Sequence, residues 1–130
     1  MASLDDPLAA IRDTFFQECE EQLAELEAGL TAMAEGEADD ETVNAVFRAV
    51  HSIKGGAGAF KLQALIHFAH VFETALDLMR AGALAATPEA TRVLLRAADA
   101  LADLVRAARD GVEAGAALVA ALAADLGRLA

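Results

Sequence analysis

The sequence predicts an all-α protein, an antiparallel up-and-down four-helix bundle with an additional C-terminal fifth helix. Alanine, leucine and glutamate are abundant and the chain has only two prolines, a composition that favours helices. Tyrosine and tryptophan are absent while isoleucine and threonine are scarce, which disfavours sheets. Apolar residues recur at helical spacing in five stretches. Because the connections between these stretches are short, neighbouring helices are expected to run antiparallel.

The length of 130 residues fits one domain, 1–130, with the bundle core at about 8–110 and the fifth helix at about 113–129. No apolar run reaches the roughly 18–20 residues of a membrane span. The acidic amino terminus lacks the basic region of a signal peptide. A net charge of −11 disfavours nucleic acid and anionic membranes as partners. A single cysteine, Cys19, permits no internal disulfide and fits a reducing compartment, so we expect a cytoplasmic location. Nothing in the sequence demands more than a monomer, which is the state expected of the isolated domain.

The first helix is expected to be capped by Asp5 or Asp6, with Pro7 near its first position. The face of this helix opposite the predicted core is rich in glutamate, which is typical of a solvated surface. An apolar stripe at helical spacing is predicted to face the core: Leu8, Ile11, Phe15, Cys19, Leu23, Leu26, Leu30 and Met33. This stripe predicts a helix of more than six turns.

The second helix is predicted from about Glu41 through a glycine-rich segment to a turn at 59–61. Each glycine costs roughly 0.5–1 kcal/mol against alanine inside a helix, so three of them within four residues need a reason. Gly55 and Gly58 are the i+4 and i+7 neighbours of His51 and share its face. A histidine above a surface without side chains suits approach by another macromolecule. The expected inward residues are Val43, Val46, Phe47, Val50, Ile53 and Ala57.

The remaining helices are predicted at about 62–80, from Thr87-Pro88-Glu89 to Gly111, and at about 113–129. Gly82 follows the third helix in the position of a C-terminal glycine cap. Thr87 and Pro88 form a typical helix start. The expected inward residues are Leu65, Phe68, Ala69, Phe72, Leu76 and Met79; then Leu94, Ala98, Leu101, Val105 and Ala108; then Leu118, Leu122, Leu126 and Leu129.

The sequence disfavours three other kinds of site: a nucleotide-binding loop, a metal centre and a cysteine nucleophile. The glycine segment matches neither nucleotide-binding pattern and follows no predicted strand. His67, His70 and Glu73 have helical ligand spacing, but a closed metal site needs further ligands on facing helices, so no metal is expected. Nothing places Cys19 near a histidine for nucleophilic catalysis. The histidines as simple packing residues remain an alternative.

A more specific interpretation is that His51 carries a phosphoryl group. Neutral imidazole is a good nucleophile near neutral pH. Glu73 or His70 on the next helix is positioned to accept the other ring N–H. Lys54, one turn after His51, supplies positive charge for phosphate oxygens, and Arg48 and Lys61 add to it.

The run FRAVHSIKGGAGAF resembles the phosphorylation motif of histidine phosphotransfer domains, and most of all the amino-terminal domain of CheA-type chemotaxis kinases. The segments HVFETALDLMR and FFQECEEQLAELEAGL extend the resemblance over about residues 8–110. It implies that His51 accepts phosphate from ATP in trans, through a separate CheA-type kinase domain. His51 would then pass it to an aspartate of a CheY-like or CheB-like response regulator. The chain would be the phosphoacceptor part of a transferase, without complete catalytic machinery of its own.

The resemblance also implies roles for the surrounding residues. Glu73 would hold the reactive tautomer of His51, with Lys54 and His70 assisting. The domain would bind no cofactor, because ATP and magnesium are used by the kinase domain and magnesium by the regulator. The residues expected at the partner-docking surface are Arg48, Ser52, Gly55, Gly58 and Lys61.

Two departures from the family pattern and two rival functions stay open. Lys61 stands where small residues are common in the family, and His67 is an additional histidine on the third helix. Either residue would alter partner preference. The rivals are a stand-alone or hybrid-kinase phosphotransfer protein of a non-chemotaxis pathway, and a purely structural helical interaction module.

Overall fold

The computed structural model describes residues 7–129, which form five helices and no strand. Helices α1 to α4 form a closed ring, in which each packs on the next and α4 returns to α1, while α5 lies against α3 and α4. This architecture confirms the all-α bundle with an appended helix. No helix within the described range is long and apolar enough to cross a membrane. The helices are α1 (Pro7–Ala34), α2 (Asp40–Ala59), α3 (Gln63–Arg80), α4 (Pro88–Asp110) and α5 (Ala116–Leu129).

The core stripe of α1 begins later than predicted. Leu8 and Ile11 are 65% and 56% exposed, so their expected inward position is wrong. Both side chains line shallow surface grooves beside Ala59 and Phe60 at the end of α2, so the neighbouring helix borders them without covering them. Phe16, which the stripe omitted, is buried. The predicted caps at positions 5 and 6 lie outside the described residues.

Cys19 is a small buried core residue, as predicted. Burial, together with the nearby carboxylates of Glu20 and Glu18, raises the pKa of the Cys19 thiol to about 12. A buried, protonated thiol is a poor nucleophile, which agrees with the predicted packing role of Cys19. The rest of the α1 stripe is buried as well: Leu23, Leu26, Leu30 and Met33.

Helix α2 starts at a side-chain cap and runs unbroken through all three glycines. The Asp39 carboxylate accepts a 2.8 Å hydrogen bond from the Thr42 backbone N–H. Phe47 differs from its predicted inward position, because it is half-buried at the edge of the core while Ala49 is buried instead. The other inward residues of α2 are buried as predicted: Val43, Val46, Val50, Ile53 and Ala57.

The ends of the later helices follow the predicted signals, and α5 alone starts late. Gly82 and Gly111 have positive φ after α3 and α4, and the Thr87 hydroxyl caps α4 at the Ala90 N–H. Helix α5 begins at Ala116 rather than near residue 113, directly after Gly115, a residue that disfavours helix interiors. Leu118 is 52% exposed against its predicted register. Leu122 and Leu126 hold α5 to the bundle.

Helix α2 ends in a Schellman motif whose left-handed residue is not glycine. The Leu62 N–H bonds to the Ala57 carbonyl at 3.2 Å and the Lys61 N–H to the Gly58 carbonyl at 3.3 Å. Lys61 therefore takes φ 55°, the one positive φ among non-glycine residues of the described chain. Its Cβ makes this conformation unfavourable by roughly 1–2 kcal/mol.

We expect the substitution Lys61→Gly to raise the free energy of unfolding by about 0.5–1 kcal/mol, because the gain from relieved strain is partly offset by the entropy of an unfolded glycine. Urea unfolding followed by circular dichroism measures this change. Lys61→Ala is the matched control, since it removes the charge but keeps the Cβ. A stabilisation shared by both variants would assign the effect to the lysine charge rather than to the backbone.

Candidate functional site

The three glycines of α2 serve two opposite sides of the helix. A Cβ added at Gly55 or Gly58 would meet no described atom within 4 Å beyond the local helix, so their side of α2 is open. A Cβ at Gly56 would lie 2.5 Å from Cε1 of Phe15, which is closer than packed atoms approach. Gly56 is therefore needed for α1 to pack on α2. Gly55 and Gly58 have no such packing requirement and clear the surface beside His51.

His51 stands on this open side of α2, with 60% of its side chain exposed. Its Nδ1 lies 2.8 Å from Oε2 of Glu73 on α3. Of the two partners that the sequence left open, Glu73 and His70, the structure places Glu73 at the ring. The other ring nitrogen, Nε2, is not used by this contact.

Glu73 also binds Lys54, whose Nζ lies 2.9 Å from Oε1 of the same carboxylate. Burial of Glu73, whose side chain is 14% exposed, by itself raises its pKa. The hydrogen bonds from Lys54 and His51 and their charges outweigh burial, and the pKa of Glu73 is lowered. Glu73 is therefore ionised at neutral pH. The Lys54 ammonium, which the sequence predicted would contact phosphate oxygens, forms an ion pair with this carboxylate.

The ionised partner determines the tautomer of the neutral His51 ring. A carboxylate has no hydrogen to donate and only accepts, so the ring proton lies on Nδ1 and is donated to Glu73. The neutral ring then carries its lone pair on Nε2. The arrangement presents a solvent-exposed nucleophilic nitrogen from a ring held at its other nitrogen.

Two further side chains extend this group, Phe47 beside His51 and Arg80 beside Phe47, and the sequence did not assign either of them to the site. The Phe47 ring lies parallel to the His51 ring, with 5.8 Å between centroids and 10° between planes. The guanidinium carbon of Arg80 lies 3.8 Å from the Phe47 centroid. Phe47 is the i−4 neighbour of His51, so helical spacing was a signal for this contact. The position of Arg80 depends on how α3 packs against α2.

The other predicted site residues are exposed. In the described part of the chain, no hydrogen bond or ion pair joins the His70 side chain to His51, and its assisting role stays a prediction. Nor do three or more residues of metal-ligating type converge anywhere between residues 7 and 129. The exposed residues predicted at the docking surface lie along α2 and its end: Arg48, Ser52, Gly55, Gly58 and Lys61.

The chain matches the Hpt domain family model over residues 10–130. The chemotaxis protein CheA of Rhizobium meliloti (strain 1021) is 64% identical over 101 residues, which cover 78% of this chain and 13% of that protein. A CheA of Cereibacter sphaeroides is 58% identical over 107 residues, covering 79% and 16%. The chain thus spans less than a fifth of the length of these relatives.

A solved structure with a similar fold is that of the phosphorylated P1 domain of CheA3 in complex with CheY6 from R. sphaeroides. The match has a TM-score of 0.79 and 28% sequence identity, and it covers 93% of this chain and 98% of that one. The likeness therefore extends over nearly the whole bundle.

We expect opposite effects of alanine at two adjacent glycines. Gly55→Ala should raise the free energy of unfolding by about 0.5–1 kcal/mol, since the site is open and alanine favours helix. Gly56→Ala should lower it by about 1–3 kcal/mol, because its Cβ overpacks against Phe15. Thermal and urea unfolding of both variants test this. Changes of the same sign would show that the two glycines do not differ in packing.

We also expect Glu73→Gln to be less stable than the wild type at pH 7, by about 1–2 kcal/mol, because a charged hydrogen-bond partner is lost. A carboxylate with a lowered folded-state pKa stabilises the fold above its ordinary pKa of 4.5, and this contribution is lost as the pH falls through the folded value. The gap between the two proteins should therefore shrink below pH ~4.5.

Urea unfolding at a series of pH values measures this gap. Glu25→Gln, at an exposed position of α1, is the matched control and should show a much smaller difference from the wild type. A gap for Glu73→Gln that stays constant down to pH ~3 would contradict the ionised bridge.

Proposed function

The chain belongs to the Hpt domain family, and from this membership we propose that it is the phosphoryl carrier of a bacterial chemotaxis system. His51 is phosphorylated in trans by the ATP-binding domain of a CheA-type kinase. It then passes the phosphoryl group to an aspartate of a CheY-like or CheB-like response regulator. The observation that carries this proposal is the exposed His51 ring whose Nδ1 is bound to an ionised Glu73.

The geometry supports phosphorylation at Nε2. In the first transfer the Nε2 lone pair attacks the γ-phosphorus of ATP, the bond to the bridging oxygen breaks and ADP leaves. The ring keeps its Nδ1 proton and gains positive charge, which the Glu73 carboxylate stabilises at 2.8 Å. In the second transfer a regulator carboxylate attacks the phosphorus, the phosphorus–Nε2 bond breaks and the neutral ring returns.

The surroundings of His51 support access by both partners. The open side of α2 at Gly55 and Gly58 leaves room for a protein surface near the ring. Arg48, in the middle of α2, and Lys61, just past its end, are exposed and carry positive charge for a phosphate or an acidic partner. The complex of the similar CheA3 domain with CheY6 supports a CheY-like regulator as the acceptor.

In such a relay, ATP binding and phosphoryl carriage belong to different domains. ATP and magnesium belong to the kinase domain, and magnesium to the regulator, so this domain needs no cofactor of its own. The high identity to part of much longer CheA proteins supports a role as their phosphoacceptor domain. We propose a cytoplasmic location and a monomeric isolated domain.

The test is to incubate the chain with the catalytic domain of a CheA relative and labelled ATP. We expect acid-labile, base-stable label on the wild type and at least a 100-fold loss with His51→Gln, because the nucleophile is removed. His67→Gln is the matched control, an exposed histidine of α3 that should keep the label. Glu73→Ala should be labelled more slowly while remaining folded.

The outcomes separate the rival functions. An unlabelled wild type, or label that survives His51→Gln, would favour a structural interaction module instead. Transfer of the label from His51 to CheY-like regulators, compared with regulators of other pathways, distinguishes a chemotaxis carrier from one serving a different relay.

A further inference from the structure

The contact with Glu73 restrains the His51 ring at one point only. A single hydrogen bond at Nδ1 leaves the ring free to rock about the bond axis, and 60% of the side chain is exposed to solvent. Rocking would sweep Nε2 through an arc. A phosphoryl donor held in a docked protein approaches along a fixed direction, so its transfer depends on where Nε2 points.

A second restraint is present on the face of the ring. Phe47, one helical turn before His51, lies 10° from parallel with it at a centroid distance of 5.8 Å. Offset parallel rings at this distance attract each other, and tilting either ring disrupts the contact. Because Phe47 is half-buried at the edge of the core, it is itself held by the fold.

Arg80, in the last turn of α3, restrains Phe47 in turn. Its guanidinium carbon lies 3.8 Å from the Phe47 centroid, within the range of a strong cation–π contact. The guanidinium is fixed by a 2.7 Å bond from its Nη2 to the Asp77 carboxylate one turn earlier. The order of contacts is therefore Asp77, Arg80, Phe47 and His51, across two helices.

We propose that Phe47 and Arg80 are positioning residues that hold the plane of the His51 ring, and thereby the direction of Nε2, for a docked phosphoryl donor. The proposal rests on the phosphoryl-carrier function inferred above. Glu73 fixes which nitrogen is reactive, whereas the Phe47 stack fixes where that nitrogen points. Arg80 acts through Phe47 and does not touch the imidazole.

The test compares two phosphoryl donors. The catalytic domain of a CheA relative, with ATP, presents its donor in one direction. Phosphoramidate is a small donor that reaches the ring from many directions; its phosphorus–nitrogen bond breaks, ammonia leaves, and the phosphorus–Nε2 bond forms. Loss of ring direction should slow the first reaction more than the second, while a change in intrinsic reactivity would slow both equally.

With the kinase domain we expect Phe47→Leu to be labelled about two- to tenfold more slowly than the wild type, which is the range that an aromatic stack supplies. Phosphoramidate labelling should change less than twofold. Phe47→Tyr keeps the ring and should restore the rate. Phe68→Leu is the matched control: it also removes a ring, from a fully buried position on α3, and should keep the wild-type rate with both donors.

Arg80→Gln is a second test variant. Because Arg80 is exposed, this substitution is not expected to affect folding. It should slow labelling by the kinase domain, by less than Phe47→Leu does. Added to Phe47→Leu it should cause no further loss, because its effect passes through the missing ring. The ring-current shift of the His51 ring protons in NMR spectra should disappear in Phe47→Leu and persist in Phe47→Tyr.

Distinct outcomes overturn the positioning role and the carrier function. Equal kinase rates for the wild type and Phe47→Leu, an equal loss with both donors, or an equal loss in Phe68→Leu would each overturn the positioning role alone. Additive losses in the double variant would overturn the indirect role of Arg80. A wild type that takes no label from the kinase domain would overturn the carrier function, and the positioning role with it.

Discussion

The Glu73 carboxylate lies between two side chains of α2, and its two oxygens have different partners. Oε2 accepts from His51 and Oε1 from Lys54, so one group from α3 fixes both the ring and the neighbouring cation. Lys54 and His51 lower the pKa of Glu73 against the effect of partial burial, which keeps the carboxylate ionised and able only to accept the ring proton. The reactive state of the imidazole thus depends on a bridge between two helices, and the packing of α2 on α3 is what brings its ends together.

The packing of α1 on α2 is equally specific. At both Gly29 of α1 and Gly56 of α2, an added Cβ would lie 2.5 Å from an atom of the other helix, on Val46 and Phe15 respectively. Glycine at these points lets the two backbones approach closely. The glycine-rich segment of α2 therefore combines a tightly packed side with an open side, and the helix remains continuous because its neighbours supply the stability that the glycines remove.

Helical periodicity was sufficient to predict the five helices and most of the core. The pairing of His51 with α3 was predicted instead from the need for an acceptor at the ring N–H, which left Glu73 and His70 open. Periodicity failed where burial depends on whether a neighbouring helix covers a side chain, as for Leu8 and Ile11, which follow the stripe of α1 but lie in open grooves beside the end of α2. It also placed Phe47 in the core, because periodicity gives the direction of a side chain but not its depth. The contact of Arg80 with Phe47 joins two helices, and no spacing along the chain encodes it.

The open side of α2 also limits the order of events in the proposed relay. Among the described residues, Nε2 of His51 has no hydrogen-bond partner, and the ring stands on the open side of α2. A donor and an acceptor that both need this nitrogen compete for the same area and cannot occupy it together. Transfer must then proceed as two separate encounters, with a free phosphorylated carrier between them, which is a ping-pong sequence. The lifetime of the phosphorylated carrier, and not only its affinity for either partner, would then set how long the phosphoryl group is held before it is transferred.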